Sequence, residues 1–270
     1  MYLKMTKTIV ILLGNCRGGE DAWKSMYKHL LEPLNADLGM VVSEKDNQDD
    51  ISLFKKAKYI RTVPEYTDWG DSIDNIMNEV CETPYDWRND LKMDCNIWGG
   101  VHHGNNKPLG GSGAIVFSYR YQVCKLILEN DLLSKYDRFV ITRTDHFYEF
   151  KHPNLDNDHI WIPTGEEYGG ICDRHFIANK SDVIPLLNIV PYILKNKYHQ
   201  KSPSPEVVLR DYLKNIGIFD KVKKFPRNCY LVKRKNEQQR WCGQSKELPN
   251  GLIAKYIHEY NSAIKNKQIV

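Results

Sequence analysis

No apolar run of about 18 residues occurs anywhere in the 270-residue sequence, so nothing in it reads as a membrane-spanning helix. No C-x-x-C pair occurs either. The seven cysteines (Cys16, Cys81, Cys95, Cys124, Cys172, Cys229 and Cys242) are odd in number and widely spread, which fits reduced thiols better than a disulfide framework or a structural zinc site. Excess charge is slight: 38 Lys and Arg stand against 34 Asp and Glu, and a net +4 is too mild to imply a nucleic-acid partner. Internal repeats and low-complexity stretches are absent. The opening residues lead into an apolar run of only six, Ile9 to Gly14, too short for a secretion signal. These absences together predict a cytoplasmic protein.

What is present is ordinary globular composition, 41% hydrophobic and 27% charged, in a chain long enough to bury a sizeable core. The 16 tyrosines and 6 tryptophans suit the faces of sugars, though equally a core. Thr8 to Leu13 is a continuous β-branched and leucine run, the pattern of a strand buried on both faces. A helix over Asp21 to Leu34, strands over Leu38 to Ser43 and Tyr59 to Val63, and alternation of strand and helix predict an α/β fold with a mostly parallel sheet. The clearest helix spans Ala114 to Leu133, and Phe139 to Thr142 is another buried strand. His159 to Pro163 and Ile171 to Ala178 follow as strands. A helix beginning at Ser181 should kink at Pro191, and Pro205 to Ile216 is a helix with proline at its start. Cys229 to Val232 reads as a last strand and Leu252 to Ile264 as a terminal helix. The expected organisation is one domain over residues 1–235 with a helical tail over 236–270 packed against it.

Three places carry candidate chemistry. The strand Phe139 to Thr142 runs straight into Arg143-Thr144-Asp145-His146, and open α/β sheets bind ligands outside the carboxyl ends of their strands. A carboxylate there, Asp145, can reach a divalent ion bridging a diphosphate, or can simply cap a turn. The second place is Gly165-Glu166-Glu167-Tyr168-Gly169-Gly170 followed by Asp173, Arg174 and His175, a dense set of acid, base and charge-pairing groups beside glycines that admit a ligand. Alternation puts Asp173 and His175 on one face of the strand, with a hairpin of solvated charges as the bland alternative. The third is Gly14-Asn15-Cys16-Arg17-Gly18-Gly19, a turn that ends a buried strand and should present free backbone N–H groups beside the Arg17 fork. It is neither a P-loop nor a dinucleotide fingerprint. Gly111-Ser112-Gly113 is a weaker anion site of the same type, equally explained as a serine N-cap. His102-His103 with Cys95 lacks zinc spacing, the basic stretch Lys221 to Arg240 reads as a solvated face, and Glu206 and Arg210 are spaced to pair across one helical turn.

The phrases T-R-T-D at 142–145 and I-W-I-P-x-G-E-x-Y-G-G-x-x-D-R-H at 160–175 resemble the GT-A glycosyltransferases, in particular those that decorate the chlorovirus major capsid protein and related polysaccharide and lipopolysaccharide synthesis enzymes. The resemblance covers about Thr8 to Leu213 and is tightest from Tyr136 to Ile177. It implies a UDP- or GDP-sugar donor, a glycan or glycoprotein acceptor, a Mn²⁺ or Mg²⁺ ion, and a role in surface glycosylation, in the host cytoplasm if the protein is viral. Asp145 then stands at the metal-binding acid of the family's D-x-D motif. Arg143 replaces the motif's first acid, so the metal must lean on diphosphate oxygens, water or a histidine, or else Arg143 itself neutralises the diphosphate. Gly14, Asn15 and Arg17 fall where such folds hold the nucleotide, and Glu166, Glu167, Tyr168, Gly169, Gly170 and His175 where they shape the sugar and acceptor pocket. An inverting transfer also needs a base, for which Asp173 is the candidate, with Glu166 and Glu167 as rivals. The competing readings are a sugar nucleotidyltransferase and a non-catalytic module that binds carbohydrate or polyanion.

Overall fold

A computed structural model describes residues 6–46, 50–91, 96–104, 107–197, 204–238 and 243–269. Cys95, Cys242 and the end of the basic stretch, 239–240, lie outside them. The chain is mixed α/β. Strands β1 (Thr8–Leu13), β2 (Asp37–Ser43) and β3 (Tyr59–Val63) precede a two-residue pair, β4 (His102–His103) and β5 (Lys107–Pro108). Then come β6 (Arg138–Arg143), β7 (His146–Tyr148), β8 (Ile160–Pro163), β9 (His175–Asn179), β10 (Val222–Phe225), β11 (Cys229–Lys233), β12 (Lys246–Glu247) and β13 (Ile253–Ala254). Seven of them form the central sheet in the order β10-β8-β9-β6-β1-β2-β3. Only β9 runs against its neighbours. A second sheet, β12-β13-β11-β7, lies beside it.

The run Thr8–Leu13 is buried along its whole length because both sheet faces are covered. Ile9, Ile11 and Leu13 pack on one side with Ile73 and Ile76 of helix Gly70–Val80, Phe117 and Val123 of helix Gly113–Glu129, and Val208 of helix Pro205–Asn215. Val10 and Leu12 pack on the other with Trp23 and Met26 of helix Gly19–Met26, Tyr230 and Val232 of β11, and Ala263 of the terminal helix Ile257–Lys267. None of the described helices is long and apolar enough to cross a membrane. The cysteines Cys16, Cys81, Cys124, Cys172 and Cys229 are free thiols.

Several elements differ from the sequence expectation for local reasons. The first helix widens into a π turn at Tyr27–Leu31 ahead of Pro33, whose missing N–H frees the His29 carbonyl to accept the His152 N–H at 2.7 Å. Helix Val183–Leu187 breaks from helix Ile189–Lys195 at Asn188, not at Pro191. Pro191 sits in the first turn of the second helix, where an N–H has no intrahelical acceptor to lose. The strand expected from Ile171 starts only at His175, because the Ile171 N–H donates to the Glu206 carbonyl at 3.2 Å and so leaves the sheet. Two short strands, β12 and β13, precede the terminal helix, which begins at Ile257.

The register lines up one edge. Leu13 of β1 pairs with Arg143 of β6, and Thr142 of β6 with His175 at the start of β9. The exits of β1 and β6 and the segment entering β9 therefore meet at the same rim.

Candidate active site

A cavity of about 320 Å³ opens at that rim. Its lining includes Gly14, Asn15 and Arg17 after β1, Arg143 and Thr144 after β6, and Tyr168, Asp173 and Arg174 ahead of β9. Gly111, Ser112 and Gly113 at the start of the 17-residue helix also reach it, as do Ser204, Pro205 and Glu206 at the start of helix Pro205–Asn215, and Lys255 and Tyr256 from the C-terminal segment. The strand exits are tied together beneath it. The Trp23 indole N–H lies 3.1 Å from both the Arg17 and Thr144 carbonyls, and the Thr144 hydroxyl donates to the Asn15 carbonyl.

One wall is cationic, and its cations are clasped from behind. Asp145 is 1% exposed and does not line the cavity. Arg143 meets it bidentately, Nε to Oδ1 at 2.8 Å and Nη2 to Oδ2 at 3.0 Å, and the Lys255 ammonium donates to Oδ2 at 2.9 Å. Burial by itself would raise the Asp145 carboxyl, but Arg143 and Lys255 outweigh it and hold the group well below the ordinary carboxylate range. Beside it stands a second cluster of the same make. Glu259, 0% exposed, is met by Arg174 Nη1 at 2.8 Å and Arg227 Nη1 at 3.2 Å, and it accepts the Leu231 N–H at 2.9 Å. Against its burial, Arg227 and Arg174 hold its carboxyl down at about 2. Arg174 also lies over the Tyr256 ring, 4.2 Å from its centroid.

Next to Arg174 the lining turns acidic, with Asp173 Oδ1 3.9 Å from the Arg174 Nε. Asp173 is held by its backbone, whose carbonyl accepts from buried Arg120. Glu206, the second residue of its helix, lies beside Ser204 at 2.9 Å and has its carboxyl raised, chiefly by burial and then by the Asp173 charge. The backbone of Glu206 reaches this position because Gly170 has no side chain: a Cβ there would stand 2.0 Å from the Glu206 carbonyl oxygen. A third acid, Glu65, lies where β1 and β3 exit, accepting from Asn15 Nδ2 at 3.3 Å and from the Ser43 hydroxyl at 3.2 Å.

The expected residues separate into those brought together and those not. Gly14, Asn15, Arg17, Arg143, Tyr168 and Asp173 line the cavity. The turn after β1 does not offer the free donors expected of it: the Cys16 N–H goes to Asp46 at 3.1 Å, and the Gly18 N–H to the Glu237 carboxylate at 3.2 Å. Glu166 accepts from the Tyr168 hydroxyl behind the rim, and Glu167 pairs outward with Lys224 at 2.7 Å. Gly169 and Gly170 shape the wall through backbone contacts, Gly169 by accepting from Arg210. That bond, with the Arg210–Asp211 pair at 2.7 Å, replaces the expected pairing of Arg210 with Glu206.

His175 is a correction. It is 0% exposed and faces the core, not the cavity. The strand begins at His175 itself, so alternation does not extend back to Asp173. Its Nδ1 lies 3.0 Å from the Thr142 hydroxyl, and its Nε2 3.4 Å from His152 Nε2. His146 joins the same group through Thr142 at 2.8 Å. Burial pushes His146 down to about 3 and His152 to about 4, and His175 well below its usual value, so the cluster is neutral.

The metal expectation for Asp145 does not fit its surroundings. Both oxygens are already engaged by cations, and a divalent ion about 4 Å from either would meet about 8 kcal/mol of repulsion at an effective dielectric near 20. Among the described residues, the group of three or more potential ligands whose atoms converge within 4.8 Å is His146, His175 and Cys229, buried under the strand ends and outside the cavity lining. Glu206, Glu65, Lys255 and Glu259 escape the sequence reading because their roles depend on distant partners. The signal that could have found Glu206 is its place directly after Ser204-Pro205, a helix start beside the glycine-rich segment. Comparison with family models and with curated proteins finds no match.

Proposed function

We propose that this chain is a GT-A-type glycosyltransferase, moving a sugar from a UDP- or GDP-sugar to a glycan or glycoprotein acceptor. The observation that carries the reading is one cavity, at the carboxyl rim of a mostly parallel sheet, lined by clasped cations and, beside Arg174, by the carboxylates Asp173 and Glu206. Ligands of open α/β sheets collect at such a rim. Beside Gly14 and Asn15, the Arg17 guanidinium offers donors and the Glu65 carboxylate an acceptor for the base and ribose. The N-terminus of helix Gly113–Glu129 and the cations Arg143, Lys255 and Arg174 suit the diphosphate.

In the transfer, the acceptor hydroxyl attacks the anomeric carbon while that carbon's bond to the diphosphate oxygen breaks. The hydroxyl proton passes to the Asp173–Glu206 pair, and the electron pair leaves on the nucleoside diphosphate. Glu206, whose carboxyl is raised by burial and by the Asp173 charge, suits the role of proton acceptor, because a carboxyl raised toward working pH is a stronger base. The fixed cations meet the negative charge as it develops on the leaving group, without reorganising. Attack from the face opposite the leaving group makes the reaction inverting.

The test is to incubate the chain with UDP- and GDP-sugars and glycan acceptors and to measure release of UDP or GDP. Release that falls with Glu206→Gln and with Asp173→Asn supports the reading. Release of pyrophosphate from a sugar phosphate and a nucleoside triphosphate would assign a nucleotidyltransferase in its place.

A further inference from the structure

We infer that this chain binds its donor's diphosphate without a metal ion, on a platform of Arg143, Lys255 and Arg174 that the buried carboxylates Asp145 and Glu259 hold in place. The inference rests on the reading of the cavity as a nucleotide-sugar site.

The geometry carries it in three steps. First, the acid at the motif position has no room for a metal. Its Oδ2 accepts from both Arg143 and Lys255, its Oδ1 accepts from Arg143, and its side chain is 1% exposed. Second, the cations themselves reach the cavity: Arg143, Lys255 and Arg174 all line it, while Asp145 and Glu259 stand behind them. Third, the cluster around Asp145 is net positive, because Arg143 and Lys255 share its one carboxylate. Arg174 adds a guanidinium shared between Glu259 at 2.8 Å and the acids Asp173 and Glu166, each at 3.9 Å. That cationic face meets the negative charge of a sugar-linked diphosphate. Each carboxylate thus works as an anchor for guanidinium and ammonium groups, and a pre-oriented guanidinium fork loses little freedom when it meets phosphate oxygens. Lys255 and Glu259 both come from the segment after β13, so the C-terminal residues complete the donor site.

The test is calorimetric titration of the full-length chain with UDP and with GDP, once in EDTA and once in excess Mn²⁺. The expected result is a Kd for one of the two nucleotides that agrees within about twofold between the media, the tolerance of a contact that no ion shares. In EDTA, Lys255→Met should weaken that binding about 10- to 100-fold, the worth of one charge-assisted hydrogen bond, and Lys255→Arg should restore most of it. Binding that appears only with Mn²⁺ overturns the inference while leaving the nucleotide-sugar reading standing. Failure of both nucleotides to bind in either medium overturns that reading and the inference with it. Should Lys255→Met not fold, the comparison of media on the unaltered chain decides alone.

Discussion

The two walls of the cavity treat charge in opposite ways. On the cationic side Arg143 and Lys255 are clasped by buried Asp145, and Arg174 by buried Glu259, so their positions are set before any ligand arrives. On the acidic wall Glu206 sits close enough to Asp173 for one charge to raise the other carboxyl. A charge held by opposite charge is locked in its ionised state and suits binding. A charge crowded by its own sign has its proton affinity brought toward working pH and suits proton transfer.

The largest way to break this contrast is Asp145→Ala. Removing the clasp leaves buried Lys255 and partly buried Arg143 without their anion, and we expect a loss of about 3–5 kcal/mol in urea unfolding. A loss below about 1 kcal/mol would mean the cations do not depend on it. Glu206→Gln is the matching change on the other wall, and its effect should be kinetic: transfer falls about 100- to 10,000-fold while the Kd for UDP or GDP stays put. A parallel loss of nucleotide affinity would place Glu206 in the donor site instead.

The pH dependence of stability should separate the walls by sign. Glu259 is depressed from 4.5 to about 2, so its contribution is full above about 4.5 and is lost as pH falls toward 2, and Asp145 acts in the same direction. Glu206 is raised, so its carboxyl favours folding at acid pH and that gain is lost as pH rises through its folded value. Glu206→Gln should therefore flatten the stability profile above pH 4.5 and leave the acid limb unchanged. The buried histidines steepen that limb. The unfolded chain protonates them near 6.5 but the folded chain protonates His146 only near 3 and His152 only near 4, so His146 and His152 each cost about 1.4 kcal/mol per pH unit within their own windows, and His175 acts in the same direction. The smallest effect is reserved for Lys224→Ala at the exposed Glu167 pair, which should change stability by less than about 1 kcal/mol and transfer hardly at all.

Much of the sheet was legible because apolar runs such as Thr8 to Leu13 and Phe139 to Thr142 need two covered faces, and only a sheet between helix layers supplies them. Gly14, Asn15, Arg17, Arg143 and Asp173 were legible as cavity residues for the same reason, since each closely follows a buried run or precedes one. His175 was misread because the strand boundary moved by four residues, and a shift at the start of a strand changes which side chains alternation places together. Lys255 could not be found, because it reaches Asp145 across 110 residues of sequence.

The sequence by itself determined where the strands run and which rim their polar ends share, because burial pattern and strand direction are local properties of the chain. Only the tertiary structure decided what the acid after β6 would do. Its partner was settled when the C-terminal segment laid Lys255 against it, and a buried carboxylate takes its role from the charge that desolvates beside it.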